Sequence, residues 1–179
     1  MDILAALHPN RLLVACAPYA AREPIAHLVA ELALHDSVTI LDGGNRFQPY
    51  HVAQLLRQKT IAVNSAAKRI FIRRAFTCYQ MLAILENTPS LRQPYIILDL
   101  LATFYDDHVS AREASLLLAA CLRQVERLGQ FAPVVITLAP LLVPERASLV
   151  EMVCARAERV LMPDVPAPVM TQLSLFLVS

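Results

Sequence analysis

The sequence predicts an α/β domain: a doubly wound, mostly parallel sheet with helices on both faces. Three observations carry this expectation. Short apolar runs alternate along the chain with stretches in which apolar residues recur at helical spacing. The run Tyr95–Leu98 is wholly apolar and closes on Asp99, the pattern of a buried central strand with an acid at its carboxyl end, where open α/β sheets place their sites. Hydrophobic residues make up 56% of the 179 residues, ample for a core on both sides of a sheet.

Taken in order, residues 1–10 form a short N-terminal extension, and RLLVACA at 11–17 is the first strand. A loop over 18–23 follows, with Pro24 suited to a first helical position and Ile25, Leu28, Val29 and Leu32 on one helix face. VTILD at 38–42 is a second strand that ends in an acid, and Gly43 and Gly44 turn the chain out of it. The next helix opens near Pro49 and buries Val52, Leu55 and Leu56, while 60–67 reads either as loop or as helical extension. RIFIRRAF at 69–76 is a third strand. Thr77 with Gln80, and later Ser110 with Glu113, stand at capping-box spacing ahead of two further helices. The second of these continues through Ala114, Leu117, Cys121, Val125 and Leu128 and is expected to stop at Gly129. PVVITL at 133–138 is a fifth strand, 145–158 a helix, and 160–162 and 170–178 two closing strands around a proline-rich turn. The whole chain, 1–179, reads as one domain.

Composition narrows function mainly by exclusion. A formal net charge of +1 with 17% charged residues creates no chain-wide field for nucleic acid or an anionic membrane, so any such contact has to be local. Mean hydropathy is +0.48, yet the most apolar window, 128–144, is interrupted by Gly129, Pro133, Pro140 and Pro144 and suits a buried strand better than a membrane span. An acid at Asp2 and no basic leader make cytoplasm the expected location. Four dispersed cysteines without ligand-like spacing fit reduced, buried thiols, and five scattered histidines show no HExxH pair. No metal and no cofactor are expected.

An apolar strand closed by an aspartate also has the shape of a Walker B strand, whose acid holds magnesium against nucleotide phosphates. Three stretches extend the likeness: VTILDGGNRFQPYHVAQLL, RIFIRRAFTCYQMLAIL, and YIILDLLATFYDDHVSAREASLLLAACLRQVERLG followed by APVVITLAP. In succession and spacing they resemble the second strand and helix, the following strand and helix, and the Walker B strand, long helix and next strand of the RecA/RadA recombinase superfamily. The resemblance implies a RecA-like, P-loop-NTPase-like architecture over roughly residues 11–179, with Asp99 as the strand-end acid.

The departures define the expected site. A phosphate loop needs glycine amides and a lysine, but the chain has 3 glycines, none between the first strand and first helix, and its lysines, Lys59 and Lys68, lie elsewhere. The corresponding loop carries Ala17, Pro18, Tyr19, Arg22 and Glu23, which remove donors and add bulk and negative charge. Where the family has its catalytic glutamate this chain reads DGGN. Asp42 is then either a residual water-orienting group or a turn-capping residue, and Asn45 is no base. Asp106, Asp107 and His108 either chelate a cation or contact a partner, or form a solvated loop before Ser110. Lys68, Arg69, Arg73 and Arg74, with Phe71 and Phe76 among them, are the candidate nucleic-acid patch, though strand alternation lets only part of the set act together.

The expectation is a pseudo-ATPase: a non-hydrolysing RecA-like domain that works as an adaptor or mediator in DNA recombination or repair. Its partner is expected to be a RecA-family or repair protein, or a second copy of the chain, with weak or no DNA binding alone and no membrane contact. Two alternatives stand beside it: an NTPase with a phosphate site rebuilt around Arg22 and Asp99, and a DNA-binding accessory module.

Overall fold

The computed structural model describes residues 7, 11–140 and 144–162. Six strands form one all-parallel sheet: β1 (Leu12–Cys16), β2 (Val38–Asp42), β3 (Ile70–Arg74), β4 (Tyr95–Leu98), β5 (Val134–Leu138) and β6 (Arg159–Leu161). They lie in the order β3-β2-β4-β5-β1-β6. The helices are α1 (Arg22–His35), α2 (Pro49–Lys59), α3 (Val63–Ala67), α4 (Cys78–Glu86), α5 (Ala111–Gly129) and α6 (Ala147–Cys154). Short 3₁₀ turns occupy Pro18–Ala21, Leu100–Phe104 and Pro144–Arg146.

The strand order dictates which helices share a layer. Connections β1 to β2 and β2 to β3 run toward the β3 edge, and they carry α1, α2 and α3. Connections β3 to β4, β4 to β5 and β5 to β6 run the other way, and they carry α4, α5 and α6. A uniform crossover hand puts the two sets on opposite faces, and the core divides accordingly. One cluster joins Ile25, Leu28, Val29, Val52, Leu56 and Ala66 to Ile96 and Leu98. The other joins Cys78, Met81, Leu85, Leu118 and Val153 to Tyr95 and Ile97. Successive β4 residues thus serve opposite layers, as the period of two requires, and all four are buried. Each large side chain removed from water here contributes ~1.5–3 kcal/mol.

Several local expectations change. α1 begins at Arg22, so Pro24 is its third residue rather than its first. β3 is shorter than 69–76, and the ambiguous 60–67 segment contains the short helix α3. α6 ends at Cys154, and the chain turns through 155–158 into β6. α5 does end at Gly129, but without a left-handed glycine cap: Gly129 is the last helical residue, has no positive φ, and Gln130 caps the helix in right-handed conformation. Both capping boxes form only their first half. Thr77 Oγ1 accepts from the Gln80 amide and Ser110 Oγ from the Glu113 amide, each at 3.2 Å. The Gln80 side chain instead accepts from the Phe76 amide at 2.8 Å, and Glu113 accepts from the Tyr79 hydroxyl at 2.6 Å. The seventh strand expected at 170–178 lies outside the described residues.

Candidate functional site

Where neighbouring strands send their following helices to opposite faces, the carboxyl ends splay and leave a crevice. This sheet has such points at β3/β2, at β2/β4 and at β1/β5, and the expected acids and loop lie at the last two.

The β2/β4 crevice is filled by the loop that leaves Asp42. The Asp42 carboxylate is fully buried and accepts from the Arg46 amide at 2.9 Å and the Phe47 amide at 3.0 Å, one on each oxygen. Arg74 Nε donates to it at 3.3 Å and Arg74 Nη2 to the Phe47 carbonyl at 3.2 Å. Asp42 is therefore a turn-capping residue with its charge compensated by β3. The loop folds back so that Arg46 Nε donates to Asp99 Oδ2 at 3.1 Å.

Asp99 is 2% exposed and sits just past β4 in left-handed conformation, φ 52°. Its amide donates to the buried Thr137 hydroxyl at 2.9 Å, and its Oδ1 accepts from the Ala139 amide at 3.2 Å. Both carboxylate oxygens and the strained backbone are thus held by protein groups. The glycines serve close approach rather than unusual dihedrals, since neither has positive φ and the left-handed residue of the loop is Asn45. A β-carbon on Gly44 would stand 2.5 Å from Asp99 Oδ2 and 2.6 Å from Asp99 Cβ. Only a bare backbone lets this loop lie against the acid.

At the β1/β5 crevice, the Ala17 amide donates to the Leu138 carbonyl at 3.1 Å. Tyr19, Ala20 and Ala21 are all left-handed, each with φ 53°, and close a tight turn onto α1. Amides that a phosphate loop would turn toward an anion are used inside the turn: Ala20 donates to the Ala17 carbonyl at 2.9 Å and Arg22 to that of Tyr19, and Pro18 has none. Arg22 lies over the exposed Tyr19 ring, 5.7 Å from its centroid. Glu23, at the start of α1, meets His51 and His27 instead of any group of the sheet.

The remaining site candidates are dispersed. The loop of Asp106, Asp107 and His108 is exposed, with its His108 amide donating to Asp106 Oδ1 at 2.9 Å and Arg146 bonding its carbonyls. Arg69 donates to the Ala33 and Leu34 carbonyls at the end of α1, Arg73 to the Asn87 carbonyl beyond α4, and Arg74 to Asp42. Only the Lys68 side chain of that set has no hydrogen bond or ion pair among the described residues; its amide donates to the Asn64 carbonyl at 3.2 Å.

Arg46, Thr137, His27 and His51 were not marked in the sequence, and Glu23 was marked only as part of the loop after the first strand. Arg46 directly follows the DGGN stretch, and Glu23 with His27 stands at i,i+4 on a helix, so both had a local signal; Thr137 and His51 had none. Comparison of the chain with models of protein families finds no match, and comparison with curated proteins finds none.

Proposed function

We propose that this is a non-hydrolysing RecA-like domain that acts by binding another protein through its β3 edge, in keeping with an adaptor in recombination or repair. The β3 edge is the observation that carries the reading. β3 hydrogen-bonds only to β2 among the described residues, so its outer backbone groups face outward along with exposed Phe71 and Ile72, and exposed Phe76 and Tyr79 follow it. Edge strands are usually blunted by charge, proline or a covering segment, and β3 carries its charge, Arg73 and Arg74, only at its carboxyl end. Beside this one, toward α2, lies an apolar cavity of about 100 Å³ lined by Phe47, Pro49, Val52, Leu56, Ile70 and Ile72. An added strand would gain main-chain bonds from β3 and could seat one apolar side chain in that cavity. The sheet crest supports the non-hydrolysing half of the reading, because its two buried acids already have arginine partners and the first turn uses amides internally.

The test is affinity capture with the tagged wild-type chain and an Ile72→Lys variant, beside light scattering and calorimetry with Mg²⁺ and ATP. Capture of a recombination or repair protein, or self-association, that Ile72→Lys abolishes is the expected result, with no heat from the nucleotide. A monomer that captures nothing, or micromolar ATP binding, refutes the reading.

A further inference from the structure

We infer that Glu23, His27 and His51 form a binding site for a zinc-class divalent cation that ties the first two turns of α1 to the first turn of α2. One ligand atom from each of the three lies within 4.8 Å of the others. His51 Nε2 stands 2.9 Å from Glu23 Oε1 and His27 Nε2 3.8 Å from the same oxygen. The two imidazoles meet edge to face, with ring centroids 6.3 Å apart and planes at 79°. Both rings therefore direct the same nitrogen at one carboxylate, an arrangement that an ordinary surface ion pair, needing one partner, does not require.

The backbone explains the convergence. Glu23 and His27 are four residues apart on α1 and share a face, and α2 packs beside α1 with His51 in its first turn. Zinc bonds to imidazole nitrogen and carboxylate oxygen at about 2.0–2.2 Å, so ligands at tetrahedral corners stand roughly 3.3 Å apart. The two measured separations fall on either side of that value. Glu23 and His27 are more than half exposed, free to close the remaining distance, and open to a water as fourth ligand. Two imidazoles and one carboxylate suit zinc and its first-row neighbours, whereas calcium and magnesium prefer an all-oxygen set. The bound ion would brace the start of α1 immediately after the left-handed turn Tyr19–Ala21.

The test is a Zn²⁺ titration of the full chain by calorimetry, repeated with Co²⁺ by visible absorption and accompanied by urea unfolding. Saturable binding of a single ion is expected, weakened at least about tenfold by either His27→Ala or His51→Ala, because losing a direct ligand exceeds the effect of losing an outer partner. His35→Ala, His108→Ala and Cys154→Ser should leave it unchanged. Metal-free urea midpoints should agree between the wild type and the two ligand variants, with zinc raising only the wild-type midpoint. Absence of saturable binding, or binding that the His27 and His51 variants leave intact, overturns the assignment.

Discussion

Replacing Arg46 by alanine tests whether Asp99 is a structural residue or a displaced metal ligand. In the wild type, Asp99 Oδ2 has one partner, Arg46 Nε at 3.1 Å, and the acid is 2% exposed. Removing one member of a buried ion pair typically costs 3–5 kcal/mol, because the other charge stays desolvated. Two details place Arg46→Ala at the lower end, about 3 kcal/mol. The arginine side chain is itself 40% exposed, so water can follow it out, and Oδ1 keeps the Ala139 amide. Urea unfolding in Mg²⁺-free buffer measures the loss. Adding Asp99→Asn to Arg46→Ala should recover at least about 1 kcal/mol, since a neutral amide tolerates the vacated site better than a carboxylate. A loss under about 0.5 kcal/mol would refute the structural role. Stabilisation of Arg46→Ala by Mg²⁺ would return Asp99 to the part of a metal ligand.

Two further predictions need only stability measurements. Alanine at Gly44 should destabilise by about 3 kcal/mol, since its β-carbon would overlap the pinned Asp99 side chain, while alanine at Gly129, where the nearest atom is Val134 Cγ2 at 3.7 Å, should stabilise by up to ~1 kcal/mol. Equal signs for the two would refute the packing argument. Alkaline pH gives the second. Burial pushes the Cys121 thiol from an ordinary value of 9.0 up to about 12, so the unfolded chain loses this proton first. The neutral thiol's contribution is complete below pH 9 and declines as pH rises toward 12, by at most about 1.4 kcal/mol per pH unit. Cys121→Ala should show a shallower decline over that window, and identical slopes would count against it.

The architecture was legible because its signals are local and repeated. Each central strand is an apolar run, each long helix has its apolar period, and the two acids that close β2 and β4 mark the carboxyl ends. What escaped depended on pairing across the sheet. Nothing near Asp99 in sequence says that Arg46 will neutralise it, since the partners are 53 residues apart. The basic cluster shows the converse: Arg69, Arg73 and Arg74 lie close in sequence, yet the alternation of β3 and the helix ends around it give each a separate acceptor. Glycines mark turns and a helix end in the sequence, but the positive φ values among the described residues fall on Tyr19, Ala20, Ala21, Asn45 and Asp99. Asn45 and Asp99 are residue types that tolerate left-handed backbone, whereas Tyr19, Ala20 and Ala21 are not.

The strand order also governs how the chain can fold as it is made. β1 is bounded by β5 and β6, and its first residue registers with Val134. β2 and β3 can pair as soon as both have emerged, but β1 has no neighbour until the chain has grown by about 120 more residues, which takes roughly 6–24 s at ordinary translation rates. During that interval Leu13, Val14 and Ala15, wholly buried at the end, remain unpaired on the nascent chain. A fragment ending before β5 would therefore hold its first strand as an exposed apolar segment. The sheet closes only when the second half of the chain comes back to meet the first.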